Sequence, residues 1–146
     1  MFENILLVCV GNICRSPVAE ALLKSALQAK GKNNYKINSA GLGALVGHKP
    51  DKMVIDLMLE KGIDISDYRA QQINQEIIYK ADLILVMEVA HKELIEHEEP
   101  SAKGKVFRLG EWGNFDIPDP YQQERKVFQD VVQLIEKGVA DWVVKI

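Results

Sequence analysis

The stretch Ile5-Leu6-Leu7-Val8-Cys9-Val10-Gly11-Asn12-Ile13-Cys14-Arg15-Ser16-Pro17 decides the fold. Its first four residues are wholly apolar, the pattern of a strand buried on both faces. Gly11 and Asn12 then tolerate the positive φ of a tight turn. Ser16-Pro17 reads as an N-cap followed by proline at the first helical position. Beyond it Ala19, Leu22, Leu23, Ala26 and Leu27 recur at three- and four-residue spacing, the inward stripe of a helix that stops near Gly31. A strand, a tight turn and a helix in succession can hold an anion. The turn amides point inward, and the helix N-terminus adds roughly half a positive charge.

Two residues make this turn more than an anion site. Cys9 stands where the strand delivers a thiol into the cradle, and Arg15 closes it with a planar fork suited to a phosphate-like group. The cradle from Val10, Gly11, Asn12, Ile13 and Cys14 to Ser16 favours the sulfur anion. It would also hold phosphoryl oxygens and stabilise the charge on them in a transition state. A cysteine, five residues, then Arg-Ser is thus a coherent nucleophile and clamp for phosphoryl transfer through a phosphocysteine. Plainer readings exist for the others: a buried structural thiol, turn formers, a simple cap. Arg15 resists one, because a charge beside a buried strand end needs a partner. The cluster reads as catalytic.

The whole chain bounds the answer. At 146 residues it suits a single domain, 1–146, and its 47% hydrophobic and 27% charged residues suit a globular protein. A net charge of −3 argues against a nucleic-acid partner. No apolar run is long enough to insert in a bilayer, and no basic region precedes the opening strand, so the expected compartment is the cytoplasm. Two cysteines five positions apart give neither a disulfide framework nor a zinc set, and no metal or cofactor is expected. His48, His91 and His97 are scattered, and are read as surface residues.

Further along, Tyr35–Ala40, Leu83–Met87 and Val106–Leu109 read as three more strands. Helices are expected from Pro50-Asp51 to Lys61, from Asn74 to Tyr79, from Ala90 to His97 and from Glu124 to Val144. The last carries Val127, Val131, Leu134, Ile135, Gly138 and Trp142 on one face. The segment Gly41–Gly47 has the wrong glycine spacing for a dinucleotide site, and its Leu42, Leu45 and Val46 suggest an exposed contact surface. Alternating strands and helices predict an α/β fold, a doubly wound four-stranded parallel sheet flanked by helices. Ligands of such sheets sit beyond the carboxyl ends of the strands, where Cys9 falls. A leaving alkoxide or phenoxide also needs a proton donor, and Asp116 and Asp119 in the irregular stretch Gly110–Pro120 are both placed to serve. Spacing alone does not choose between them.

The stretch Val8–Pro17 resembles the signature of the low-molecular-weight protein-tyrosine phosphatases, and Asp119-Pro120-Tyr121 resembles that family's general-acid motif. The resemblance runs over essentially the whole chain and implies a phosphatase I-like fold. It implies Cys9 as nucleophile, Arg15 as phosphate and transition-state clamp, and Asp119 as acid and then base. Asn12, Ser16 and Ser39 correspond to residues that brace the loop, and Ser16 also assists the thiolate. Tyr121 corresponds to the aromatic wall beside the substrate ring, with Val10 opposite. The run Ser39–Gly47 and the pair Met87-Glu88 resemble bacterial members linked to capsule or exopolysaccharide export, which act on the tyrosine-rich tail of a membrane tyrosine kinase. A phosphotyrosine protein is then the expected partner, and a monomer the expected state.

The sequence also departs from the family. Tyr68 stands where a histidine often completes the bracing network, and Gln71 where an arginine is usual. The tandem tyrosines of eukaryotic members are missing, since Gln122 follows Tyr121. Cys14 corresponds to the family's second cysteine, which can trap oxidised Cys9, but packing under the loop explains a small residue there equally well. Three other readings compete: an arsenate reductase of related fold, a phosphocysteine carrier, and a phosphotyrosine-binding module without turnover. The thioredoxin-coupled reductase needs further cysteines downstream; Arg15 with a late carboxyl acid argues against a carrier, and Cys9 with Asp119 against a mere binder.

Overall fold

In the computed structural model, which describes residues 3–146, the apolar run becomes β1 (Asn4–Cys9) at the middle of the sheet. It pairs in parallel with β2 (Lys36–Gly41) on one side and β3 (Leu83–Val86) on the other, and β4 (Val106–Arg108) lies outside β3. The expected four-stranded parallel sheet is therefore the one observed. Alternation along β1 divides the core. Ile5, Leu7 and Cys9 face a layer built by α1 (Arg15–Ala29), α2 (Lys52–Leu59) and α5 (Arg125–Lys145). Leu6 and Val8 face the layer of α3 (Gln75–Lys80) and α4 (Val89–Glu98). With helices on both faces, every residue of β3 is buried, as its unbroken Leu-Ile-Leu-Val sequence requires.

The chain leaves β1 towards β2, then crosses back to β3 on the opposite side of β1. That reversal leaves a crevice at the carboxyl ends of β1 and β3, and Cys9 is the last residue of β1. No helix among the described residues is long and apolar enough to cross a membrane.

Four expectations need correction. Of the three aliphatics read as an exposed surface, Leu45 and Val46 are exposed but Leu42 is half-buried, packed against the core layer that holds Leu6 and Val8. The first helix begins at Arg15, so Ser16 lies inside it and is not its cap; Cys14 occupies the cap position without a capping side chain. The Ser16 hydroxyl is engaged elsewhere, as described below. The buried face of α5 is Phe128, Val131, Val132, Ile135, Gly138, Val139, Trp142 and Val143. Val127 and Leu134 sit only at its margin, because the stripe is centred one residue further along. His91 is buried, whereas His48 and His97 are exposed as expected. Its place in the first turn of α4 aligns it with buried Ile95, one turn on.

α5 approaches the end of β4 closely. Trp142 Nε1 donates to the Arg108 carbonyl at 3.0 Å, and a Cβ on Gly138 would lie 2.8 Å from Leu109 Cγ and 2.9 Å from its carbonyl oxygen. Gly138→Ala should therefore destabilise the fold, despite the better helix propensity of alanine, by about 1–3 kcal/mol, through overpacking. Urea denaturation monitored by tryptophan fluorescence checks this; an unchanged midpoint would show that α5 can move away freely.

Candidate active site

Residues 10–14 connect β1 to α1 as an open ring. Three of its carbonyls, and that of Cys9 just before it, are pulled outward by donors from the segment after β2. Leu42 N–H reaches the Cys9 oxygen at 2.9 Å, Gly43 reaches Val10 at 2.9 Å, Leu45 reaches Gly11 at 3.1 Å, and Asp51 reaches Ile13 at 2.8 Å. In a planar trans peptide the carbonyl and the following N–H point opposite ways. The amides of Val10, Gly11, Asn12 and Cys14 are thereby turned inward. The first amides of α1, which no side chain caps, complete the set. Gly41 makes this arrangement fit, since a Cβ there would stand 2.5 Å from the Val10 oxygen.

A polar network braces the ring from behind. Asn12 adopts φ 58°, which asparagine tolerates better than most residues; Gly11 does not take a positive φ. The buried Asn12 amide donates to Ser16 Oγ at 2.8 Å and Ser39 Oγ at 2.9 Å, and its oxygen accepts from Gln71 N–H at 2.9 Å. Ser39 in turn donates to Glu20 at 2.7 Å. Ser16 Oγ also lies 3.0 Å from Cys9 Sγ, so the chain of polar groups ends on the sulfur.

Arg15 is 2% exposed, and its charge has partners. Nη1 donates to Glu88 Oε2 at 2.5 Å and to the Ile117 carbonyl at 2.9 Å, while Nη2 lies 3.7 Å from Asp119 Oδ2. A cavity of about 200 Å³ opens over the ring, lined by Cys9, Val10, Gly11, Ile13, Cys14 and Arg15, and by Leu45, Asp119 and Tyr121 across from them. Asp116 does not line it. Its carboxylate accepts from Arg108 at 3.1 Å and Val89 N–H at 3.2 Å, tying the loop after β4 to the start of α4. Of the two aspartates, only Asp119 is in position to act on a ligand of Cys9.

Residues 4–146 match the profile of a family described as low molecular weight phosphotyrosine protein phosphatase. The chain belongs to that family. Its activity is that of a protein-tyrosine phosphatase. A probable low molecular weight protein-tyrosine-phosphatase EpsP from Ralstonia solanacearum is 47% identical over 100% of this chain and 97% of its own. Among solved structures, the Erwinia amylovora tyrosine phosphatase AmsI superposes with TM-score 0.93 at 41% identity, covering 100% of this chain and 94% of that one. Vibrio vulnificus Wzb in complex with benzylphosphonate superposes with TM-score 0.93 at 38% identity, over 100% of both chains.

Against the expectations for this phosphatase, the bracing network is completed by Glu20 and not by Tyr68. Tyr68 packs beneath Lys24, whose ammonium sits 5.1 Å from the ring centre, and burial raises its phenol. Gln71 does join the network, through its backbone N–H and through a side-chain bond to the Ser39 carbonyl at 2.9 Å. Glu20 went unread in the sequence because its Lys24 partner one turn on suggests an ordinary surface pair; the second carboxylate oxygen carries its structural role. Burial, then the nearby Asp51 carboxylate, push the Cys14 thiol well above the ordinary cysteine range. Cys14 therefore stays protonated beside Cys9.

His91 Nε2 lies 3.5 Å from Glu88 Oε2, and its Nδ1 is enclosed without a partner. Burial holds the imidazole below its ordinary value, against the opposing pull of Glu88; Arg15, Asp116 and Asp119 also face it. As pH falls, the unfolded chain therefore binds this proton before the folded one, and stability declines below the ordinary histidine value near 6.5. Urea titrations at pH 7.5 and 5.5 should show a smaller acid loss for His91→Leu than for the unsubstituted protein. An equal loss would mean that His91 titrates alike in both states.

Proposed function

We propose that this phosphatase hydrolyses phosphotyrosine through a phosphocysteine at Cys9. The observation that carries the reading is that Cys9, Arg15 and Asp119 share one cavity whose floor is a ring of inward amides. The phosphate oxygens lie in that ring, and Arg15 offers Nε and Nη2 to them, since Nη1 is occupied by Glu88 and Ile117. The sulfur anion of Cys9 attacks phosphorus as the bond to the tyrosine oxygen breaks, and Asp119 protonates that oxygen. The now ionised Asp119 takes a proton from water, which attacks phosphorus and releases inorganic phosphate and the Cys9 anion. Ser16 Oγ, 3.0 Å from the sulfur, stabilises the anion each time it departs.

The walls favour an aromatic ester. Val10, Leu45 and Tyr121 are 41%, 38% and 44% exposed and line the cavity, apolar surface against which a ring above the phosphate can pack. The benzylphosphonate bound to the Vibrio vulnificus relative is also a phosphorus group on a ring. The finer part of the proposal concerns the partner. Resemblance to the capsule and exopolysaccharide members supports a tyrosine-rich tail of a bacterial membrane tyrosine kinase as substrate, met at the cytoplasmic face by a single-domain monomer without metal or cofactor.

Purified protein should release phosphate from phosphotyrosine and p-nitrophenyl phosphate far faster than from phosphoserine, and should not reduce arsenate. Cys9→Ser should abolish turnover, and Arg15→Lys should nearly do so because the fork is lost while the charge is kept. Asp119→Asn should lower kcat by roughly 10²- to 10⁴-fold, whereas Asp116→Asn should retain most of it. The reverse ranking of the two aspartates would overturn the acid assignment, and turnover by Cys9→Ser would overturn the nucleophile.

A further inference from the structure

The phosphocysteine chemistry leaves His91 without a task. His91 is 7% exposed, does not line the cavity, and has one close polar side chain, the carboxylate of Glu88. The atom it meets is Oε2, the same oxygen that receives Nη1 of Arg15. Enclosing Nδ1 without a partner is unfavourable, and an apolar side chain of similar size would avoid that penalty. The gain must lie at the other nitrogen.

Glu88 needs holding. It occupies the cap position of α4 without capping the helix, and its side chain is one-third exposed, so solvent competes for it. It touches Arg15 through one oxygen only, sharing Nη1 with the Ile117 carbonyl, so a drift of this carboxylate would leave the guanidinium on the Ile117 contact alone. Small angular errors in a bidentate clamp are costly to the rate. His91 Nε2 stands 3.5 Å from Oε2, and a neutral imidazole with its proton on that nitrogen would direct it at this oxygen from a nearly buried ring. The backbone bond from His91 N–H to the Glu88 carbonyl, 3.0 Å, sets the two side chains in register.

We propose that His91 is a positioning residue for the phosphate clamp: its Nε2–H keeps the Glu88 carboxylate on Nη1 of Arg15 and so fixes the plane in which Nε and Nη2 meet the phosphoryl group. The inference rests on the reading of Arg15 as that clamp. It assigns His91 no contact with substrate and no proton transfer in the reaction. Its influence passes through Glu88 alone.

The test uses the full chain, p-nitrophenyl phosphate as substrate and inorganic phosphate as competitive inhibitor. His91→Leu should lower kcat about tenfold and raise the inhibition constant of phosphate by a similar factor, with no loss of folded protein at the assay temperature. His91→Gln, which restores an N–H donor on the side chain, should recover both to within about threefold. Glu88→Ala should match His91→Leu, and adding His91→Gln or His91→Leu to Glu88→Ala should cost nothing further. Leucine and glutamine variants with equal losses, or additive losses in the double variants, would overturn the proposal. So would a leucine variant with kinetics within about twofold of the parent. If His91→Leu fails to fold, the Glu88→Ala and His91→Gln pair decides by the same additivity. An inactive Arg15→Lys beside a normal His91→Leu removes this inference only, whereas a near-normal Arg15→Lys removes the clamp itself.

Discussion

The site depends on the direction of four carbonyl groups. The oxygens of Cys9, Val10, Gly11 and Ile13 are each tied to an amide of residues 42–51, and the amides that follow them have no choice but to face the cavity. A ring of unpartnered N–H groups is ordinarily expensive to enclose. Here it is held open, ready for an anion, by bonds formed on its outer side. The close approach at Gly41, the left-handed turn at Asn12 and the missing cap of α1 all follow from the same constraint.

Charge is managed around the ring in a matching way. Arg15 is almost wholly buried, and an uncompensated guanidinium there would be costly by several kcal/mol. Glu88 and the Ile117 carbonyl hold it on one edge, leaving the other edge for the ligand, with Asp119 close by. The same two contacts bind β3's end and the loop after β4 to the start of α1. Asp116, anchored by Arg108, then fixes the loop that carries Asp119. Catalytic geometry and tertiary structure are thus maintained by the same bonds.

Much of this was legible in the residues. The apolar runs, the glycine and proline boundaries and the Cys-to-Arg spacing predict the sheet, its parallel sense and the place of the cavity, because they depend on local pattern. Ser16 was misread as a cap because a serine before proline at a helix start has that local meaning, while its real partners, Cys9 and Asn12, are set by the turn's shape. Glu20 and His91 were missed for a related reason. Each has an ordinary neighbour in sequence, and each exerts its effect on a residue from another element or through one. Spacing leaves Asp116 and Asp119 level, since two carboxylates three positions apart in a loop differ only in what they face; the family resemblance favours Asp119, and Asp119 is the one that lines the cavity.

The partners that complete the ring are far along the chain. Residues 42–51 and Gln71 supply the outer bonds, and Glu88 and Ile117 hold Arg15. A ribosome delivers Cys9 first, long before any of them, and contacts of such long range form late. During synthesis Cys9 ends an unfinished strand. The ring and the setting of Arg15 are complete only when the last quarter of the polypeptide has docked, so a truncated or half-made chain lacks the assembled cavity.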